Sequence, residues 1–229
     1  PPPPPPPPPP PSPTPPPNLH HQAFHTRRSS DLTREKVCIV MLAAGRSERF
    51  GAAKLLAKYR GKPLLHHALS AAQAACPGKV CLVVGHSAHE VGDSAAGLAD
   101  RVITNDRYAT GIGSSIACGV RACREQSDAI LIMLADQPLV SSSHLAELVN
   151  RWAGKQNEII ASRFSGISGP PVLFASALFD QLEDLRGDVG AREILHRSSS
   201  ILRTVEFEGA SIDIDTPEDL EALAGGYES

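Results

Sequence analysis

The chain has 229 residues, of which 41% are hydrophobic, and a formal net charge of −3 at pH 7. This length is enough for one domain with a sizeable core, and the slightly acidic balance argues against an extended nucleic-acid-binding surface. No run of eighteen or more apolar residues occurs, so no membrane-spanning helix is predicted.

The first 36 residues differ in composition from the rest of the chain. Residues 1–17 are almost entirely proline, which favours polyproline II and cannot form a core, and residues 18–36 are polar. We predict a disordered, proline-rich tail over residues 1–36 and one domain over residues 37–229. The chain lacks an initiator methionine, and residues 26–32 resemble the translation of a sequencing-adapter oligonucleotide. One hypothesis is therefore that the tail is partly an assembly artefact, and we assign it no function.

Apolar runs alternate with helical patterns over the remaining residues. We predict strands over 37–45, 79–85, 100–106, 128–138, 157–164, 170–174 and 201–207. We predict helices over 62–75, 87–98, 112–126, 141–154, 176–185, 190–197 and 216–225. Ser87 and Glu90 have the spacing of a capping box at the start of the second helix. Alternation of this kind predicts an α/β fold whose mostly parallel sheet is covered by helices on both faces.

Ligands of such folds bind beyond the carboxyl ends of the strands. The loop after the first strand reads "LAAGRSERFGAAK", Leu42 to Lys54. Its small residues would let the backbone approach a ligand, its basic residues add positive charge, and a following helix would add the positive end of its dipole. This combination suits a polyphosphate, although an ordinary glycine turn with exposed basic residues is the alternative. The glycine spacing fits neither a Walker A loop nor GxGxxG.

Acidic residues occupy two further positions of interest. Asp136 follows the most apolar strand, where a carboxylate beside a triphosphate would bind Mg²⁺; a capping role is the alternative. Asp213 and Asp215 alternate along an extended segment and point the same way. The alternative for this segment is that Asp215 or Thr216 simply caps the last helix.

The five cysteines, Cys38, Cys76, Cys81, Cys118 and Cys123, form no CxxC pair. We expect them to be reduced and mostly buried thiols of a cytoplasmic protein rather than disulfides or zinc ligands.

Five segments in order resemble the MobA-like nucleotidyltransferases, most closely the molybdenum cofactor cytidylyltransferases called MocA. They are "LAAGRSERFGAAK", "LADQP", "PPVLF", "GDVGAR" and "DIDTPEDL", and the resemblance covers about residues 37–224. It implies a three-layer, Rossmann-like fold. It also implies a reaction in which a substrate phosphate attacks the α-phosphate of a nucleoside triphosphate and pyrophosphate leaves.

The resemblance also assigns roles to individual residues. It makes Arg49, Lys54 and Asp136 catalytic, and it makes Asp136 and Asp215 ligands of Mg²⁺ or Mn²⁺, with Asp213 as second choice. The nucleotide-binding residues are Leu42, Ala43, Ala44, Gly45, Ser47, Arg49, Gly51, Lys54, Gly111, Ser114 and Ser115. Helix capping is an equal alternative for the two serines. The acceptor-binding residues are Gly169, Pro171, Gly187, Asp188, Gly190 and Arg192.

The residue at position 44 is the feature by which the resemblance implies a nucleotide, although one methyl group is a modest discriminator. Guanylyl-transferring relatives usually have Leu-Ala-Gly-Gly where this chain has Leu-Ala-Ala-Gly, so the resemblance implies CTP, with molybdenum-loaded molybdopterin as acceptor and a molybdenum hydroxylase as a partner. Pro170 replaces the histidine or asparagine that relatives often have. The alternatives are a transferase that uses GTP or ATP on a sugar phosphate or other acceptor, and a non-catalytic molybdenum cofactor chaperone. A plain dinucleotide-binding domain is the weakest alternative, since the glycine spacing does not match GxGxxG.

Overall fold

The computed structural model describes residues 1–4, 36–47, 49–50 and 53–225. The proline-rich tail lies almost wholly outside these residues, so its disorder and the domain boundary at residue 36 remain predictions. Gly51 of the basic loop also lies outside them. None of the helices in the described ranges is long and apolar enough to span a membrane.

The strands and helices follow the predicted alternation. The strands are β1 (Val37–Ala43), β2 (Lys58–Tyr59), β3 (Lys62–Pro63), β4 (Val80–Val84), β5 (Arg101–Thr104), β6 (Ala129–Leu134), β7 (Ile159–Phe164), β8 (Ile167–Ala175) and β9 (Leu202–Glu206). The helices are α1 (Leu64–Ala75), α2 (Ala88–Ser94), α3 (Ile112–Cys123), α4 (Ser142–Arg151), α5 (Phe179–Glu183), α6 (Ala191–Arg197) and α7 (Pro217–Gly225).

Seven strands form the central sheet in the order β5-β4-β1-β6-β8-β7-β9. β1 is parallel to both β4 and β6, and β8 is antiparallel to its neighbours β6 and β7. Among these seven described strands, β8 alone runs against the others, which confirms the mostly parallel α/β fold. Leu42 pairs in register with Leu134, so the loops after β1 and β6 leave the same edge.

Every residue of β1 is buried because helices cover both faces of the sheet. Ile39 and Met41 face a core that contains Leu65 of α1 and Leu145 of α4. The alternate residue Val40 faces a second core with Val120 of α3. An uninterrupted apolar sequence is what two-sided burial requires, and the result is the three-layer arrangement.

Two local predictions near the site were wrong. Ser87 adopts a left-handed conformation (φ 54°) and its side chain accepts no capping hydrogen bond, so the capping box with Glu90 does not form. The basic loop leads into a three-residue 3-10 turn, Lys54–Leu56, followed by the small β2–β3 hairpin. An α-helix dipole therefore does not follow Lys54, and the positive charge comes from side chains.

The five cysteines all lie within the described residues and none of them forms a disulfide; Cys118 is partly exposed and the other four are buried. Cys38 and Cys123 are in contact, with their sulfur atoms 3.0 Å apart, between β1 and α3.

Candidate active site

A cavity of about 780 Å³ opens where β1 and β6 end, a size typical of small-ligand sites. The residues that line it are Leu42, Ala44, Gly45, Arg46, Ser47, Arg49, Lys54, Tyr108, Ala109, Gly111, Ile112, Ser115, Leu134, Asp136, Asp188 and Asp215. The structure thus brings together the basic loop, the acid after β6 and the acid before α7, which are far apart in sequence.

Lys54 lies between the two acidic residues. Its Nζ donates to Asp136 Oδ2 at 2.7 Å and to Asp215 Oδ1 at 3.1 Å. Its side chain is only 9% exposed, whereas that of Asp215 is 40% exposed. Burial alone would lower the pKa of Lys54, but the two carboxylates outweigh it and hold that pKa above its usual value. Lys54 is therefore a permanently charged ammonium at the floor of the cavity.

Arg49 also contacts Asp215, from the solvent-exposed side of the cavity. Its guanidinium donates to Asp215 Oδ2 at 2.7 Å, and its side chain is 72% exposed. A side chain this exposed is free to exchange its partner for an incoming anion, because a surface ion pair contributes little net stability.

The structure separates the two roles that the sequence left open for Asp215. Thr216 Oγ1 accepts from Asp219 N, while the Asp219 carboxylate accepts from the backbone N–H groups of Asp215 and Thr216. Thr216 and Asp219 therefore form the reciprocal cap of α7. The Asp215 carboxylate takes no part in the cap and turns to Lys54 and Arg49.

Asp136 is held in place by backbone pairing. Its carbonyl accepts from Ile214 N at 3.1 Å, which joins the end of β6 to the segment that carries Asp215. One carboxylate oxygen binds Lys54, and the other, Oδ1, is buried without a hydrogen-bond partner. A buried oxygen in that state is unusual.

These features fit a divalent cation. Asp136 and Asp215 lie within hydrogen-bonding reach of the same ammonium, and Asp136 Oδ1 has free lone pairs. Mg²⁺ typically takes one or two protein carboxylates and completes its shell with phosphate oxygens and water. The described residues contain no cluster of three or more histidine, cysteine or acidic side chains that could hold a metal by themselves. The donor set therefore suits a cation that arrives with a phosphate ligand.

Asp213, the second-choice ligand, lies outside the lining of this cavity. Neighbouring protein atoms and the charge of Asp136 raise the pKa of Asp213 to about 6, although the residue as a whole is exposed. The buried Gln137 amide donates to Ala210 O at 3.0 Å and anchors this segment beside β6.

The segment after β5 forms the wall opposite the basic loop. The buried Asn105 amide donates to Ser114 Oγ at 2.9 Å and to Ser115 Oγ at 3.0 Å. Ser114 Oγ also lies 2.9 Å from the carbonyls of Arg107 and Gly111. Ser115 is among the residues that line the cavity, whereas Ser114 lies outside the lining and fixes the segment through its hydrogen bonds.

Gly111 brings the chain against the loop before α6. Its φ is +111°, and a Cβ there would lie 2.2 Å from the carbonyl carbon of Gly187. The neighbouring Gly113 N donates to Gly187 O at 3.0 Å. Only glycine fits at position 111, and this close approach places Asp188 at the cavity wall.

Some predicted site residues lie elsewhere. Ala43 belongs to β1 and its side chain is in the core. Gly169 and Pro171 are buried in β8, and Gly187 and Gly190 lie in the loop before α6 without lining the cavity. Arg192 lines a second, separate cavity.

Pro171 takes part in a buried polar network behind the site. Ser162 Oγ donates to Pro171 O at 2.8 Å and, having one proton, accepts from His144 Nε2 at 2.8 Å. The His144 ring stacks on Phe207 with centroids 4.1 Å apart. Burial lowers the pKa of His144 to about 4, so the imidazole is neutral with its proton on Nε2.

Tyr108, Ala109, Ile112 and Leu134 also line the cavity, although none of them was named as a site residue from the sequence. Tyr108 packs so closely on Gly85 that a Cβ at position 85 would lie 2.5 Å from Tyr108 Cβ and 2.9 Å from Ala44 Cβ. The glycine that ends the second predicted strand was the available signal, because a close backbone approach implies a neighbour that needs the space.

Residues 39–202 match the family model described as the MobA-like NTP transferase domain. The chain belongs to the MobA-like NTP transferase family. The predicted family and fold are therefore confirmed, and the chain is an enzyme of the nucleotidyltransferase class.

Two similar proteins cover nearly the same length. Purine catabolism protein PucB of Bacillus subtilis (strain 168) is 32% identical over 197 residues, which make up 80% of this chain and 94% of PucB. Nicotine blue oxidoreductase of Paenarthrobacter nicotinovorans is 27% identical over 195 residues, again 80% of this chain and 94% of the relative. The two names refer to different chemistry, so neither identifies the substrates of this MobA-like chain. The substrates are therefore inferred from the residues of the site.

Solved structures agree with the fold. Rv0371c from Mycobacterium tuberculosis H37Rv superposes with a TM-score of 0.73 at 28% identity, over 84% of this chain and 99% of that one. The same protein in complex with manganese gives a TM-score of 0.70 at 27% identity, over 83% and 98% of the two chains. A solved structure of similar fold thus contains manganese.

Proposed function

We propose that this enzyme transfers CMP from CTP to the terminal phosphate of molybdenum-loaded molybdopterin and releases pyrophosphate. The observation that carries the proposal is the position of the Lys54 ammonium, between Asp136 and Asp215 in a cavity that Arg49 also lines. Two carboxylates for a metal and two cations for phosphates are the components that phosphoryl-type transfer uses.

Asp136 and Asp215 would hold Mg²⁺ or Mn²⁺, which when bound polarises the phosphates and neutralises charge on the leaving pyrophosphate. Lys54 and Arg49 are then available to the triphosphate, because the metal's charge replaces theirs beside the carboxylates. Gly45, Arg46 and Ser47 also line the cavity and would lie next to the triphosphate. The attacking phosphate is already ionised at neutral pH, so the protein needs to position and neutralise rather than to remove a proton.

Ala44 and the segment 108–115 would surround the base and ribose. The Ala44 methyl group stands beside Gly85 and Tyr108, where a glycine at position 44 would leave more room. The space that the methyl group occupies favours the smaller pyrimidine base of CTP over the base of a purine nucleotide.

The acceptor would enter past the loop 184–190, from which Asp188 faces the cavity. A molybdopterin-type acceptor rests on the resemblance to the cytidylyltransferases, and a molybdenum hydroxylase would be the partner that receives the product. A cytoplasmic location is supported by the reduced and mostly buried thiols, which suit a reducing compartment.

The decisive experiment is a pyrophosphate-release assay with CTP, GTP and ATP, each with Mg²⁺ and with molybdenum-loaded molybdopterin or a sugar phosphate as acceptor. We expect release with CTP and molybdenum-loaded molybdopterin, and its loss in Asp136→Asn. Release with another nucleotide or with a sugar phosphate would replace the proposed substrates. Cofactor binding without release, equally tight in Asp136→Ala, would establish the chaperone function instead.

A further inference from the structure

A second cavity, of about 400 Å³, lies between α6 and the β7–β8 hairpin. Its lining residues are Gly166, Ile167, Ser168, Arg192, Leu195, His196, Ser199 and Leu202. It shares no lining residue with the active-site cavity, and the loop 184–190 connects them: Asp188 lines the first and Arg192, four positions later, lines the second.

No acidic group accompanies the polar side chains that line this cavity in the described part of the chain. The described lining includes Arg192, His196 and two serine hydroxyls but no acidic residue, although the chain as a whole carries a net charge of −3. Within the described part of the chain, neither Arg192 nor His196 has a hydrogen-bond or ion-pair partner. The cavity therefore concentrates unpaired donors and positive charge.

The spacing of residues along α6 places its acidic side chain on a different face from the two basic side chains that line the cavity. Arg192, Leu195 and His196 lie at i, i+3 and i+4 on α6, so they share the face toward the cavity. Glu193 and Arg197 occupy another face and pair with each other. Glu193 is therefore neutralised by Arg197 on a face away from the cavity. Arg192 and His196, which line the cavity, can contact a ligand.

We propose that this second cavity is a binding site for a phosphate monoester attached to an apolar body. The Arg192 guanidinium would take two phosphate oxygens in a bidentate contact, and His196 with Ser168 and Ser199 would supply further donors. Ile167, Leu195 and Leu202 provide the apolar surface for the body of the ligand. This inference goes beyond the proposed function and does not depend on it.

The test uses the full chain and phenyl phosphate as the probe, with phenol and inorganic phosphate as controls. The imidazole Cε1–H resonance of His196, identified with His196→Gln, reports binding by NMR. We expect phenyl phosphate to shift this resonance with a Kd below about 1 mM, inorganic phosphate to bind more weakly, and phenol not to shift it. Saturation with CTP and Mg²⁺ should leave the phenyl phosphate affinity unchanged, because the two cavities are separate.

Two variants of the same helix make the test specific. Arg192→Gln should weaken phenyl phosphate binding about tenfold or more, because it removes a charge-assisted contact, whereas Arg197→Gln should not. No shift of His196, equal loss in both variants, or displacement by CTP would overturn the proposal.

The acceptor KM in the pyrophosphate assay identifies the source of the ligand. A KM for the acceptor that rises in Arg192→Gln but not in Arg197→Gln, with the KM for CTP unchanged, assigns the site to the acceptor. An unchanged acceptor KM together with NMR binding assigns it to a separate phosphate ester. If no nucleotide is turned over at all, the proposed function fails while the NMR result still decides this site.

Discussion

Lys54 Nζ lies 2.7 Å from Asp136 Oδ2, and this contact joins two residues 82 positions apart in sequence. The same nitrogen also contacts Asp215, so a single ammonium neutralises the two carboxylates that we assign to the metal. We therefore expect Lys54 and a divalent cation to compete for the same two carboxylates in the absence of nucleotide.

Replacing Lys54 with methionine tests this competition. We expect kcat/KM for pyrophosphate release to fall about 100-fold or more, as when a preorganised donor to a developing charge is removed. Mn²⁺ affinity without nucleotide should rise at the same time, because the competing ammonium is gone; electron paramagnetic resonance of free Mn²⁺ measures it. Lys58→Met, at an exposed position of β2, is the control. Unchanged Mn²⁺ affinity in Lys54→Met would contradict the sharing of these carboxylates between Lys54 and the metal.

Comparison of Asp215→Asn with Asp213→Asn tests which acid serves the metal. Asp215→Asn should weaken nucleotide-dependent Mn²⁺ binding and lower kcat about 100-fold or more, since one of two carboxylate ligands is lost. Asp213→Asn should change either quantity less than about tenfold, because Asp213 lies outside the cavity lining. The reverse ranking would transfer the metal assignment to Asp213.

Substitution of Ala44 by glycine tests nucleotide choice. A single methyl group contributes about 1 kcal/mol, so the ratio of kcat/KM for CTP to that for GTP should fall by about tenfold at most. The pyrophosphate assay, run with CTP and with GTP separately, gives kcat/KM for each nucleotide and so measures this ratio. A complete switch to GTP would mean that Ala44 alone selects the base, and no change would move the selection to other residues of the wall.

Gly111→Ala should damage the site through backbone packing. The added Cβ meets Gly187 at 2.2 Å, so we expect a loss of about 2 kcal/mol or more of folding free energy and a raised KM for CTP. Gly97→Ala is a matched control, because Gly97 also has a positive φ, of +76°, but a Cβ at that position would meet nothing within 4 Å. Chemical denaturation of both variants separates conformational strain from the clash, and equal losses would argue against the clash.

His144 should make stability depend on pH. Its pKa is about 4 in the folded protein and about 6.5 when unfolded, so the unfolded chain binds more protons between these values. The contribution of neutral His144 is complete above about pH 6.5 and is lost as the pH falls toward 4, at up to about 1.4 kcal/mol per pH unit. Denaturant unfolding at several pH values should show a shallower decline in His144→Gln, whose amide can still donate to Ser162. Parallel curves for the two proteins would exclude His144 as the cause.

Much of the fold could be predicted from local pattern. β1 has no polar residue, and such a sequence is stable only between two covering layers. The residue that caps α7 was harder to predict, because Thr216-Pro-Glu-Asp219 contains several groups able to cap a helix. The side-chain contacts of Asp219 settle the question in favour of Thr216. Ser87 shows the opposite outcome, since a good capping-box spacing failed when the backbone entered the helix from a left-handed conformation.

The sequence by itself determined the family, the alternation of strands and helices, and the presence of cations and carboxylates at strand ends, since each depends on residues close together in the chain. Only the tertiary structure decided which groups meet. Lys54 and Asp215 are 161 positions apart, and Arg192 faces a second cavity rather than the first because the loop before α6 turns between them. Such contacts depend on how the sheet edge, α6 and the segment before α7 pack together, which no local pattern encodes.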